Sequence, residues 1–341
     1  MSATDFDDAR LEGPDTLDNP WLRHLAGTGA RIRREALFEP SGQMEPGLRP
    51  RGIIAIGAEA RLIRAVMEPV CPVPFVAWPN YGLPGWVGPL DLVIFLGSEG
   101  SDRPMLAAAR EANRRGASLL VAAPAASELA EISASRSTLT LPTTAEDPLA
   151  AAVAVLSVLG RLELGPAVVP DHVAEAADLV AESCSPRRDL SINPAKELAL
   201  GLADTQPLVW GGTVLAARAS RRIAEALRRA SGRPALAADA DALEPLLASV
   251  VESDPFADPF EEAPLDRQPA LVVCEDQQSN QLVRTQQTSL IALAESVGVR
   301  VCRITSGAEE LPGSEVDRYA TLLQSGLYGA AYLGIGLGRA G

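Results

Sequence analysis

A stretch with the layout of an anion-binding turn lies in the first third of the chain. The apolar run Leu92–Leu96 leads into a turn of small and acidic residues, and a helical pattern begins at Arg103. A strand, a small-residue turn and a helix together present free backbone N–H groups to an anion. Four residues of this turn are therefore candidate ligand-binding residues: Gly97, Ser98, Gly100 and Ser101. The same turn also contains Glu99 and Asp102, and like charges at contact distance repel a phosphate.

Two interpretations of this acidic turn are open. In the first, Ser101 or Asp102 caps the helix that follows, and its side-chain oxygen occupies the N–H donors that a phosphate would use. In the second, carboxylates converge on a metal ion; they would be Glu99, Asp102, Glu146 and Asp147. The self-capped helix is favoured, so we predict no metal site and no other cofactor.

Composition excludes several classes of protein. The 341 residues carry a formal net charge of −14, whereas a nucleic-acid binder needs a basic face for phosphate contacts. No apolar stretch reaches the roughly 20 residues that a membrane-spanning helix requires. The acidic start lacks the pattern of a signal peptide, and the four cysteines are scattered without a C-x-x-C pair. We expect a cytoplasmic protein with buried free thiols.

Short apolar runs alternate with helical patterns through most of the chain. Strands are predicted at Ile53–Gly57, Phe75–Trp78, Leu92–Leu96, Ser118–Ala122 and Leu139–Leu141, and again at Leu208–Gly211, Ala235–Ala238, Leu271–Cys274 and Val299–Ile304. Buried strands that alternate with helices are typical of parallel sheets. The predicted fold class is α/β, with two domains that are each a parallel sheet flanked by helices, in three αβα layers. Residues 1–50 form a helical extension containing one helix from Asn19 to Ala36, residues 51–165 the first domain, 166–190 a linker and 191–341 the second domain.

The order of a few short motifs resembles the double sugar isomerase (SIS) domain family, in particular the bifunctional phosphoglucose/phosphomannose isomerases. The resemblance covers nearly the whole chain. Its anchors are Ile54-Ala55-Ile56-Gly57, Leu92-Val93-Ile94 with Gly100, Asn193 with Ala195-Lys196, Arg218 with Glu225, and the final helix from Asp317 to Gly334. The resemblance implies a catalytic glutamate at Glu225, and it adds Gly57 and Arg218 to the candidate ligand-binding residues. It also implies a homodimer and a sugar-derived ligand.

Most of the catalytic and phosphate-binding residues that the resemblance implies are absent. The ring-opening histidine would fall near Ala238, and no histidine lies there. His24 and His172 are distant in sequence, and we interpret them as ordinary surface or packing residues. The turn Gly57-Ala58-Glu59 lacks the glycine-glycine-serine step of relatives, and the arginine region after the last strand reads Ala145-Glu146-Asp147-Pro148. The sequence therefore predicts a degraded phosphate site.

Glu225 itself has two interpretations, either the catalytic base or one member of a salt-bridged helix surface. Its neighbours at helical spacing are Arg221, Arg222, Arg228 and Arg229. Such a ladder is usually a salt-bridged surface, and nearby cations lower the pKa of a carboxylate that should act as a base near ~7.

Three hypotheses of function follow. The preferred one is a non-catalytic SIS-fold protein that binds a sugar derivative or a partner enzyme. The alternatives are an active aldose–ketose isomerase that uses Glu225 as its base, and an assembly protein that docks on a partner through the acidic, proline-rich loop 252–269. That loop contains two Asp-Pro-Phe motifs, and its phenylalanines either anchor a partner or fold back onto the sheet.

Overall fold

The computed structural model describes residues 5–42, 49–79, 82–97, 103–143, 147–250, 267–307 and 313–339. The strands within these ranges are β1 (Ser41–Gly42), β2 (Ile53–Gly57), β3 (Phe75–Ala77), β4 (Leu92–Leu96), β5 (Ser118–Ala123), β6 (Thr138–Pro142), β7 (Gln206–Gly211), β8 (Leu236–Ala237), β9 (Pro269–Glu275) and β10 (Arg300–Thr305). They form two separate sheets.

Helices alternate with these strands. They are α1 (Pro14–Leu17), α2 (Pro20–Ala26), α3 (Thr28–Ala36), α4 (Ala60–Met67), α5 (Arg103–Arg114), α6 (Glu128–Ser133), α7 (Pro148–Arg161), α8 (Pro170–Ser183), α9 (Pro194–Leu202), α10 (Val214–Ser231), α11 (Ala240–Ala248), α12 (Gln281–Ser296) and α13 (Glu315–Gly336). Two 3₁₀ helices, Asp8–Glu12 and Leu190–Ile192, complete the described elements.

The first sheet has the strand order β1-β6-β5-β4-β2-β3. All its pairings are parallel except the short antiparallel contact of β1 with β6. All five residues of β4 are buried, because helices cover both faces of such a sheet. Ile54, Val93 and Leu119 form one hydrophobic cluster with Leu106 of α5 and Leu129 of α6, while α4 and α7 contact strands of the same sheet.

The second sheet has the strand order β10-β9-β7-β8, and all its pairings are parallel. On one face, Trp210 and Leu271 pack with Leu243 of α11 and Leu290 of α12. Helices α9, α10 and α13 contact the same sheet or one another. The predicted α/β fold with parallel sheets flanked by helices is confirmed.

The chain divides into two compact units. One unit is Thr28–Glu175, which contains the first sheet. The other combines Met1–Gly27 with Ala176–Gly341 and contains the second sheet. Within this second unit the N-terminal segment is held by its backbone, since the Asp7 N–H donates to the Gly336 carbonyl over 2.9 Å.

One local prediction needs correction. The single helix predicted from Asn19 to Ala36 is two helices, α2 and α3, that meet at Gly27. Gly27 caps α2, and its N–H donates to the carbonyls of His24 and Leu25. Residues 166–190, which we predict to join the two domains, contain α8, a 14-residue helix. Asn19 caps α2 by accepting hydrogen bonds from Trp21 N and Leu22 N.

Among the described helices, none has both the length and the apolar character that crossing a bilayer requires. All four cysteines are free thiols. Most of the acidic loop 252–269 lies outside the described residues, which resume at Arg267.

Candidate functional site

The strand β2 of the first sheet ends in a tight turn at Gly57. Gly57 has φ +130°, and a Cβ atom on it would collide with the Leu96 carbonyl of the neighbouring strand. Only glycine adopts this conformation without strain. Because the turn directs the chain from β2 into α4, Gly57 lies at the carboxyl edge of the sheet, where open α/β folds bind ligands.

A buried carboxylate follows this glycine. Glu59 occupies the N-cap position of α4 and is almost fully buried, and its side chain does not cap the helix by a hydrogen bond. The N-terminus of a helix carries partial positive charge and stabilises an anion. In this chain the carboxyl group of Glu59 lies at this end of α4.

The second candidate turn is described only at its first residue. Gly97 follows β4, and its N–H donates to the Ala122 carbonyl over 2.9 Å, so this donor belongs to the sheet. A Cβ atom on Gly97 would approach the Leu129 side chain to 2.6 Å, which explains the glycine by close packing. The remaining candidates of this turn, Ser98, Gly100 and Ser101, lie outside the described residues, as do Glu99 and Asp102.

A third candidate position is the N-terminus of α7, the helix that follows β6. Asp147 caps α7, because its Oδ1 accepts hydrogen bonds from Leu149 N (3.0 Å) and Ala150 N (3.3 Å). Its Oδ2 accepts a hydrogen bond from Arg31 Nε at 2.9 Å, and the side chains of Arg31 and Asp147 are only 15% and 8% exposed. This N-terminus is also occupied by a carboxylate of the chain.

Arg31 is not predicted from the sequence, because the family resemblance implies a cation only in the segment after the last strand of the first domain. Arg31 comes from α3, 116 residues earlier in the chain. Its guanidinium also donates to Thr28 Oγ1 over 3.0 Å, which fixes its orientation. The sequence of residues 145–148 therefore does not give the full charge of this region, since a buried guanidinium from α3 neutralises Asp147. No local sequence pattern connects these two residues.

The candidate residues of the second unit lie on α10. Glu225 accepts hydrogen bonds from Arg222 Nη1 and Arg229 Nη2, each over 2.7 Å, and its side chain is 33% exposed. Arg218 precedes Glu225 by seven residues, which is about two helical turns. Gly57 and Gly97 belong to one compact unit, whereas Arg218 and Glu225 belong to the other.

The asparagine–alanine–lysine motif at the start of α9 has contacts of a structural kind. Asn193 caps α9 and accepts hydrogen bonds from Ala195 N and Lys196 N. Lys196 is the only lysine of the chain; it is buried and donates to the carbonyls of Pro186 and Arg188. Desolvation lowers the pKa of its ammonium group. These contacts hold the segment before α9 against the helix.

Within the part of the chain that the structure describes, no group of three or more His, Cys, Asp or Glu side chains could hold a metal ion. Three members of the proposed carboxylate metal site, Glu99, Asp102 and Glu146, lie outside that part. The fourth, Asp147, already binds Arg31 and two backbone N–H groups.

Comparison with known proteins identifies the fold. No protein-family model matches the chain, and no curated protein matches its sequence. Solved structures do match: tagatose-6-phosphate ketose/aldose isomerase from Escherichia coli has a TM-score of 0.63 and 18% identity, and the match covers 94% of this chain and 91% of that one. The C-terminal domain of glucosamine-fructose-6-phosphate aminotransferase from Francisella tularensis has a TM-score of 0.67 and 12% identity, over 96% and 98% of the two chains.

A glucose-6-phosphate isomerase like protein from Thermus thermophilus is similar over 96% of this chain and 94% of its own, with a TM-score of 0.57 and 18% identity. The chain therefore has the sugar isomerase fold of these phosphosugar proteins. At these identities the similarity describes the fold, and function has to be argued from the residues of the site.

Proposed function

We propose that the chain is a SIS-fold protein that binds a sugar-derived small molecule at the carboxyl edge of its first sheet, and that its phosphate and catalytic sites are degraded. Sugar phosphates appear in the names of several proteins that share this fold. The fold supports a sugar-related ligand, and the side chains at the edge of the sheet decide which chemical groups of that ligand can bind.

The main observation that supports this proposal is the ion pair of Asp147 with Arg31. The N-terminus of α7 is capped by the Asp147 carboxylate, and the Arg31 guanidinium beside it is already bound to that carboxylate at 2.9 Å. Glu59 puts a second buried carboxylate at the N-terminus of α4. A phosphate dianion here would meet the Glu59 carboxylate, and it would find the first N–H donors of α7 and the Arg31 guanidinium already bound to Asp147.

Hydroxyl groups suit these side chains better than a phosphate does. Carboxylate oxygens accept hydrogen bonds from hydroxyls, and a guanidinium donates them. We therefore propose a ligand that contacts this edge through uncharged hydroxyls. Gly57, Gly97, Ser98, Gly100 and Ser101 remain proposed ligand-binding residues of this edge. Arg218 belongs to the other compact unit, and it is proposed separately, on the family resemblance.

A thermal-shift titration tests the proposal. The protein is titrated with glucose 6-phosphate, mannose 6-phosphate and a panel of neutral sugars and sugar derivatives. A ligand present at about 100 times its Kd stabilises the native state by about 2.7 kcal/mol. We expect such a shift from at least one neutral sugar derivative, and none from the two hexose phosphates at millimolar concentration.

A variant and its control test the effect of Glu59 on phosphate binding. Glu59→Ser replaces the carboxylate at the first turn with the serine that the family resemblance implies, and it should increase any affinity for glucose 6-phosphate. Glu68→Gln, at the exposed C-terminal end of the same helix, is the matched control and should leave that affinity unchanged. Low-micromolar binding of glucose 6-phosphate to the unmodified protein would contradict the proposal.

An active aldose–ketose isomerase is the second candidate function. The fold shared with the Escherichia coli isomerase favours it, and Glu225 would be its base. The two ion pairs of Glu225 and the lack of a histidine near Ala238 argue against it. A coupled assay with the Glu225→Gln variant distinguishes the two candidates.

We also propose that the chain is a cytoplasmic homodimer, on the family resemblance. Its final helix α13 is largely buried against α9 and α10 of the same chain, so a dimer interface would need another surface. Sedimentation at micromolar concentration tests this proposal, and a purely monomeric protein would contradict it. Docking on a protein partner through the acidic loop 252–269 is a further alternative; a pull-down that depends on both Asp-Pro-Phe motifs would favour it.

A further inference from the structure

The second sheet has its own glycine-rich turn that leads into a helix. β7 ends at Gly211 and Gly212 follows it, and Thr213 caps α10 by accepting a hydrogen bond from Ala216 N at 3.2 Å. A Cβ atom on Gly211 would collide with the backbone of Ala216, so this turn folds closely onto the first turn of the helix. This is the backbone arrangement that binds anions in many α/β proteins.

A buried carboxylate from the neighbouring strand lies beside this turn. Asp276 follows β9, which pairs with β7. Its Oδ2 accepts a hydrogen bond from the Thr213 hydroxyl at 2.8 Å, and its Oδ1 accepts hydrogen bonds from Arg318 Nε at 2.7 Å and Gln278 N at 3.2 Å. The side chains of Asp276 and Arg318 are 6% and 12% exposed.

The groups that donate hydrogen bonds to Asp276 are of the kinds that bind an oxyanion in proteins. A hydroxyl, a guanidinium and a backbone N–H donate to its two oxygens, and the Thr213 hydroxyl lies at the positive end of an 18-residue helix. Charge-assisted hydrogen bonds of this kind are short and strong. Arg318 is fixed in turn, because its Nη1 donates to the Gly313 carbonyl over 2.8 Å.

We propose that Asp276 is an internal anion that closes the carboxyl edge of the second sheet to phosphorylated ligands. Its carboxylate takes the position and the donors that an external oxyanion would use. Asp276 is therefore a specificity-determining residue of this half of the molecule. The inference goes beyond the proposed function, since it concerns the second unit and holds whatever ligand the first sheet binds.

Removal of the carboxylate should convert this internal anion into an external binding site. In Asp276→Ala, Thr213 and Arg318 keep their places but lose their acceptor, and a buried guanidinium without a counter-ion is costly. A small oxyanion can then restore the missing charge. Formate matches the lost carboxylate in size, and inorganic phosphate offers the same type of oxygen in a larger group.

The experiment measures thermal unfolding of the protein and of Asp276→Ala in formate, phosphate or chloride at constant ionic strength. We expect Asp276→Ala to be stabilised by formate with saturation, and its formate Kd to be lower than that of the unmodified protein by about tenfold or more, because one hydrogen bond to a charged group is worth at least that factor. Asp241→Ala, at an exposed position of α11, removes one surface carboxylate and should show no such response.

Two further measurements keep the test decisive. If Asp276→Ala does not fold in chloride, its refolding yield in formate replaces the thermal shift, and recovery in formate supports the proposal. Combining Asp276→Ala with Arg318→Gln should abolish the response to formate. Equal behaviour of Asp276→Ala in formate, phosphate and chloride would overturn the proposal, and so would a response of the same size in Asp241→Ala.

Discussion

Glu225→Gln separates a catalytic role of this glutamate from a structural one. The substitution keeps the size of the side chain and one carbonyl oxygen, but it removes the charge that Arg222 and Arg229 share. Both ion pairs measure 2.7 Å, while the Arg229 side chain is 74% exposed and Glu225 is 33% exposed. Ion pairs at this spacing on a helix surface contribute about 0.3–0.5 kcal/mol each. We therefore expect Glu225→Gln to lose about 1 kcal/mol of unfolding free energy or less.

A catalytic role would give a different result. General base assistance is worth about 10²–10⁴-fold in rate, so the same variant would lose nearly all turnover with little loss of stability. A coupled assay for fructose 6-phosphate, with glucose 6-phosphate and mannose 6-phosphate as substrates, measures this. We expect no turnover above background in either protein. The exposed Glu295→Gln variant on α12 controls for the loss of one surface charge.

One result would refute this reasoning. If the unmodified protein turned over either hexose phosphate clearly above background, and Glu225→Gln abolished that activity while Glu295→Gln did not, Glu225 would be the base of a working isomerase. That result would contradict both the proposed degraded site and the purely structural role of the Glu225 ion pairs.

Two predictions concern stability. Arg31→Met should lower the free energy of unfolding in urea by about 3 kcal/mol, because it leaves the buried Asp147 carboxylate with only its two backbone donors. Arg33→Met, on the same helix, should lower it by about 0.5 kcal/mol or less, because the ion pair of Arg33 with Asp171 is long (3.9 Å) and exposed. Equal losses in the two variants would contradict the argument from burial. Burial raises the pKa of the Cys274 thiol from 9.0 to about 12, so the native chain keeps a proton that the unfolded chain releases above pH 9, and stability should fall between about pH 9 and 12. Cys274→Ala should reduce this fall, and a thiol reagent at pH 8 should modify Cys274 only after unfolding; rapid modification of the native protein would contradict the prediction.

The elements that depend on a few neighbouring residues were predictable from the sequence. The bounds of β2 and β4 agree with the prediction because each is a continuous apolar run that the sheet buries. Asn19 was expected at the start of a helix, and it caps α2. The arginines that pair with Glu225 were also expected, since residues three and four apart meet on a helix surface whatever surrounds it.

The helix break at Gly27 shows where local patterns fail. The periodicity from Asn19 to Ala36 continues through this glycine, which costs only about 1 kcal/mol inside a helix. In the structure α2 ends there, and α3 begins at Thr28. Residues up to Gly27 also belong to a different compact unit from those that follow. The spacing of apolar residues does not encode this break.

The sequence by itself determined the α/β class, the positions of most strands and helices, and the acidic character of the turns where the family resemblance implies a phosphate site. Only the tertiary structure decided what those acidic residues do. It pairs Asp147 with Arg31 across 116 residues. It also pairs Asp276, which the sequence did not single out, with Thr213 and Arg318 across 63 and 42 residues. Hydrogen bonds within a turn or a helix follow from chain geometry, so spacing predicts them. Contacts between distant side chains depend on how strands and helices pack, and that packing is fixed only when the whole core forms.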